Sequence, residues 1–201
     1  FSNYFSMMEF VVFLTVMIGT EHMFGSAILQ KVGSSSILFE NNSTVVSQSV
    51  VAWFKSIIVA LWAHKIFFSH YYGHDLCGGD TAHATPLVNF FMHYEIADFI
   101  YMWWFFPPNS ISSSIIIHHV IYISMCAIYL YQPILPQVAV INLAQETSGV
   151  MLNLFCLFRN RLPPHKQRMV RFLFICFVLL FTVYRIGGCT LASFCAWACS
   201  R

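Results

Sequence analysis

Long apolar runs alternate with short polar or Pro/Gly-rich breaks along this 201-residue chain. Crossing a ~30 Å hydrocarbon core takes about 20 apolar helical residues. On that measure the pattern predicts helices near 5–28, 46–69, 87–106, 112–131, 134–158 and 169–187. The breaks carry suitable punctuation: Gly33 with a serine run, then Gly73, Gly78 and Gly79, then Pro107-Pro108-Asn109, then Pro133 and Pro136, then Pro163-Pro164. The last stretch, 188–201, is apolar and rich in small residues but too short to span alone. It reads as a possible incomplete seventh helix. Because the runs are continuous rather than alternating, they suit helices and not barrel strands. The expected architecture is all-α, a polytopic transmembrane helical bundle of about six spans forming a single membrane domain over 1–201.

Composition strengthens this picture. Hydrophobic residues make up 58% of the chain and charged ones 9%, with 21 Phe, whereas charged residues alone are about 25% of soluble domains. The formal charge of +2 is too small and too localised to suit nucleic acid. Seven cysteines fall mostly in or beside apolar runs and form no Cys-x-x-Cys pair, so neither a zinc site nor a disulfide scaffold is expected. No basic segment precedes the first apolar run, which therefore does not read as a signal peptide.

Orientation follows from the basic residues. Arg159, Arg161, Lys166, Arg168 and Arg171 cluster around one short loop and are half of the 10 Lys and Arg. That loop should face the cytosol, or the matrix or stroma of an organelle, and anionic-lipid contact is a second use for it. Helix parity puts 30–45 and 107–111 on the same side and 70–86 opposite. Asn41-Asn42-Ser43-Thr44 holds two overlapping glycosylation sequons, which this topology places away from the lumen.

Asp98, the pair His118-His119, Glu146 and Arg185 lie within the apolar runs. A charge at bilayer depth costs at least ~2.5–3.5 kcal/mol, so such residues are usually retained only facing a bundle interior or a cavity. They suggest one polar site, with Arg185 toward its far mouth. One imidazole of the pair, oriented by Asp98, could act as base or nucleophile. The structural alternative is a network that only joins helices. Lys55 and Lys65 are near enough to helix ends to snorkel. His64, His70, His74, Asp75, Cys77, Asp80 and His83 crowd the second helix end and its loop, and His70 and His74 have the i,i+4 spacing of a metal pair. Iron hydroxylases need several such boxes, so no metal is expected here.

Read in order, these landmarks resemble the TLC domain, the family of translocating-chain-associating protein and the longevity-assurance ceramide synthases. Val45-Val46-Ser47 resembles its early "VVS", and His93-Tyr94-Glu95-Ile96-Ala97-Asp98 its aromatic-x-x-x-Asp segment. His118-His119 resembles its His-His, Glu146-Thr147-Ser148 with Asn153 its "E-x-S…N" helix, and Tyr184-Arg185-Ile186 its closing "R-I". The resemblance covers 45–187. Gln145-Glu146 stands where ceramide synthases carry a second His-Asp cluster, so the likeness is to the non-synthase branch, linked to membrane-lipid composition, sensing and trafficking.

That resemblance implies a lipid-binding or lipid-regulating protein of the endoplasmic reticulum or another endomembrane. Asp98, His118, His119, Glu146, Asn153 and Arg185 would line its lipid site, and no cofactor beyond a structural lipid would be needed. Two alternatives come with it. One is an acyl-CoA-dependent lipid acyltransferase using His118, His119 and Asp98. The other is an accessory subunit of a larger membrane complex, for instance in the mitochondrial inner membrane, with other subunits as partners.

The basic loop yields a first prediction. In sealed vesicles, protease added to the cytosolic-equivalent face should cut within 159–168, and Asn41 and Asn42 should carry no glycan. A glycan on either asparagine would invert the topology.

Overall fold

The computed structural model describes residues 11–12, 15–16, 19, 43–72, 81–106, 113–132, 135–159 and 164–199. The expected 5–28 helix, except for helical residues at 11–12, 15–16 and 19, lies outside the described residues, as do Asn41 and Asn42. Every regular element among the described residues is helical. Helix α1 covers Ser43–Ile66 and continues into a π-helical turn, Phe67–Tyr71. Helices α2 (Thr81–Phe105) and α3 (Ser113–Tyr131) follow. Next come α4 (Pro136–Ala144) and α5 (Glu146–Phe158). A 3-10 turn at Pro164–Lys166 then leads into α6 (Gln167–Phe181), a π-helical segment (Thr182–Gly187) and α7 (Gly188–Cys199).

Three of these helices are long and apolar enough to cross a membrane, Gln48–Tyr71, Ser113–Tyr131 and Gln167–Cys199, which suits an integral membrane protein. The expected count of six therefore stands at three on those criteria. The shortfall has physical reasons. Helix α2 is 25 residues long but mixes Glu95, Asp98 and several histidines and threonines into its apolar run. The 134–158 run is divided at Gln145, where the backbone ladder tightens to i,i+3 bonds (Gln145 N–H to Asn142 O, 3.3 Å; Ser148 N–H to Gln145 O, 3.0 Å). An incomplete seventh helix is not what 188–201 forms. Residues 167–199 make one helix of 33 residues: Gly187 closes the π-helical segment and Gly188, with helical backbone angles, opens α7 without a break.

The helices pack around a layered interior. One apolar cluster joins Val59 and Ala63 of α1, Leu87 and Phe91 of α2, and Val140 of α4. A second joins Val51 to Tyr94, Ala97 and Tyr101. Lys55, between Val51 and Val59 in sequence, is buried in a polar layer that separates the two clusters. The outer faces are apolar too: Leu61, Ile128, Phe172, Ile175 and Leu179 are all exposed, as lipid-facing side chains are. Trp103 and Trp104 stand exposed near the end of α2, where interfacial aromatics are enriched. Cys199, at the end of α7 remote from the basic loop, is disulfide-bonded, a bridge that Cys-x-x-Cys spacing does not announce.

Helices α1 and α5 approach closely at Gly149. A Cβ added there would lie 3.0 Å from Ser56 Oγ and 3.3 Å from Glu146 Oε2. Gly149→Val should thus cost about 1–3 kcal/mol through overpacking, read as a lowered unfolding midpoint in detergent. An unchanged midpoint would show that the two helices yield freely at this point.

Candidate functional site

Helical spacing gathers the polar layer. Gln48, Lys55 and Ser56 share one face of α1 at i, i+7 and i+8, and Glu95 and Asp98 share one face of α2 at i and i+3. Helix α3 adds His118, His119 and Tyr122, and α5 adds Glu146 and Asn153. The π-helical segment contributes Arg185. Its wider turn brings two neighbouring residues toward the bundle together. Tyr184 meets His64 (hydroxyl to Nε2, 3.0 Å) while Arg185 reaches the polar layer. The other nitrogen of His64 lies 2.7 Å from the Ala60 carbonyl oxygen. That nitrogen must carry the proton, so Nε2 accepts from Tyr184.

Lys55 is the centre of the layer. Its ammonium donates to Glu146 Oε2 at 2.8 Å and to Glu95 Oε1 at 3.2 Å, joining three helices through one charge. It also lies over the Phe91 and Tyr94 rings, 4.8 and 4.9 Å from their centroids, in cation–π range. Ser56 Oγ donates to the same Glu146 oxygen at 2.9 Å, and Asn153 donates to Ser56 at 3.4 Å. Gln48 Nε2 lies 3.2 Å from each oxygen of Asp98. Glu95 and Lys55 are 1% and 8% exposed, so these are ions held out of solvent.

The two histidines differ sharply. His119 is buried between carboxylates, with Nδ1 2.7 Å from Glu95 Oε2 and Nε2 3.4 Å from Asp98 Oδ2. The shorter approach is out of line for a hydrogen bond and is a charge contact when the ring is protonated. Carboxylates only accept, so both nitrogens of His119 are directed at acceptors and neither offers a lone pair outward. His118 is half-buried and packs against the Tyr122 ring at 4.6 Å. Among the described residues it makes no hydrogen bond, and it faces the cavity.

That cavity has a volume of about 860 Å³. It extends from Gln48, Phe106, Ser114 and Arg159, at the helix ends nearest the basic loop, inward to Arg185. Asp98, His118, His119, Glu146, Asn153 and Arg185 all border it. Arg185 does not sit at a far mouth as expected. It is part of the layer, with Nη2 3.8 Å from Glu146 Oε1, Nε 3.5 Å from Ser148 Oγ and Nη1 donating to the Tyr122 hydroxyl. Lys55 does not snorkel but is buried, and Glu95 completes the layer although no sequence argument singled it out. The signal that could have found Glu95 is its pairing with Asp98 at i,i+3 beside a lysine-bearing helix.

The remaining expectations fall elsewhere. Arg159 borders the cavity, Lys166, Arg168 and Arg171 are exposed, and Arg161 lies outside the described residues. His70 stacks on His83 at 3.7 Å between centroids, while His74, Asp75, Cys77 and Asp80 are outside the described residues. No group of metal-ligating side chains occurs among the described residues. Comparison with protein-family models, with curated proteins and with solved structures finds no match to the chain.

Removing the central cation should be severe. Lys55→Met strands Glu95 and Glu146 without it, at about 3–5 kcal/mol for a broken buried pair. Adding Glu95→Gln and Glu146→Gln should recover most of the lost thermal stability in detergent. No recovery would mean that Lys55 matters by volume and not by charge.

Proposed function

We propose that this chain is a membrane lipid-binding protein that holds a lipid's polar group in the intramembrane cavity. One observation carries this. A cavity of about 860 Å³ lies among apolar helices. In its inner layer Lys55, Glu95, Asp98, His119, Glu146 and Arg185 are paired with one another, while His118 borders the space without an ionic partner and Arg159 stands toward the basic loop. A closed structural network would leave no such space and no such group. The ordered resemblance of 45–187 to the TLC domain supports the same function, including a role in lipid sensing or composition in an endomembrane. The bundle would then comprise six spans: 5–28, α1, α2, α3, the α4–α5 pair and the continuous α6–α7 helix.

A second function is favoured by the same histidine. A lipid acyltransferase would use His118 as the attacking or proton-accepting group, because His119 is engaged on both sides. An accessory role in a larger complex draws support from the helix at 167–199, whose most apolar window has none of its residues buried.

The test is to purify the protein in mild detergent and identify retained lipids by mass spectrometry. His118→Ala should keep a monodisperse protein with an unaltered unfolding midpoint but lose most of the retained lipid. His119→Ala should lower the midpoint as well. Acyl transfer abolished by His118→Ala would establish the enzyme, and lipid retention equal to wild type in His118→Ala would refute the binding site.

A further inference from the structure

A second, smaller hollow of about 290 Å³ lies between α3 and α4, bordered by Tyr122, Met125, Ile128, Ala139 and Leu143 among others. It occupies the opposite half of the bundle from the mouth of the polar cavity, toward the C-terminal end of α3 and the N-terminal end of α4. Its lining is almost wholly hydrocarbon; Gln132 and Asn142 are the amides at its edge. The two spaces meet at one side chain. Tyr122 borders the apolar hollow, while its ring packs on His118 and its hydroxyl accepts from Arg185, both residues of the polar cavity. Phe91 supports the ring edge-on at 5.5 Å.

We propose that one single-chain amphiphile with an oxygen-bearing head occupies both spaces, its head at His118 and Arg185 and its hydrocarbon chain in the apolar hollow, with Tyr122 as the partition it passes. This rests on lipid binding in the polar cavity and specifies the class of lipid. Adjacency at Tyr122, which borders the hollow and touches two residues of the polar cavity, selects the occupant. A chain lying in the hollow would pass beside Tyr122, whose ring packs on His118, so the junction of head and chain falls where polarity changes. The volume argues for one chain, since about 300 Å³ is the lower limit of small-molecule pockets. The Arg185–Tyr122 bond sets the partition, because the ring cannot turn without releasing it.

Palmitate bearing a diazirine near its methyl end is the probe, used on the full chain in mild detergent, with octanoate as a short-chain comparison. Photolysis should label α3 or α4 at Met125, Ile128, Ala139 or Leu143. Met125→Trp and Ala139→Phe fill the hollow from opposite walls. Each should lower the ratio of palmitate to octanoate affinity about tenfold, the size of an overpacking penalty. Labels confined to the polar cavity, or an affinity ratio unmoved by both variants, would overturn the single-amphiphile proposal while leaving lipid binding intact. If neither fatty acid binds, or both bind His118→Ala as they bind wild type, binding in the polar cavity is refuted and the proposal falls with it. Should both filling variants misfold, the position of the wild-type label decides.

Discussion

A lysine ammonium between two carboxylates organises this bundle. Lys55 holds Glu95 of α2 and Glu146 of α5 within 3.2 and 2.8 Å, in surroundings where an isolated ion would cost several kcal/mol to desolvate. Apolar clusters flank this layer and resist slips only through the fit of their side chains. The charges are stricter. Sliding a helix by one turn, about 5.4 Å, would carry Lys55 beyond reach of both partners. The helix heights are thereby fixed, and Gly149 lets α5 come close enough for Ser56 to reach the same Glu146 oxygen.

Fixing the heights also sorts the polar groups into two kinds. His119, Glu95, Asp98 and Lys55 are consumed by one another, and their work is to hold three helices together. His118 is one residue away, but about 100° around the helix, and faces the cavity. A His-His dipeptide thus presents a clamped ring and an available one. The groups the cavity leaves available for recognition are this ring, the remaining donors of Arg185 and, toward the basic loop, Arg159.

Much of the layer was legible in sequence, because ionisable residues inside apolar runs have few places to go. Asp98, the histidine pair and Glu146 follow from that rule alone. Lys55 does not, since distance from a helix end separates a snorkelling lysine from a buried one. Helix α1 begins at Ser43, earlier than the apolar run suggests, and this moves Lys55 deeper. Arg185 was misplaced for the same reason at the other end. Gly187-Gly188 reads as a terminus, yet the helix continues to Cys199, so Arg185 is well inside it. The span count was least legible, because Gln145 interrupts a run whose hydropathy is continuous.

If the ligand comes from the bilayer, as proposed, the polar layer has a further consequence. Lipid tails are already in hydrocarbon, so moving one into an apolar hollow gives little of the driving force that the same burial gives from water. On the single-amphiphile proposal, chain length would therefore be discriminated by the shape of the hollow. The driving force must come from the head, through groups that find no equivalent in the acyl region of a membrane. On the proposed function His118 and Arg185 would be such groups, with Arg185 held by Glu146, Ser148 and Tyr122. On the proposed function, the buried charges that make this bundle costly to assemble are what would let an otherwise apolar protein select a lipid.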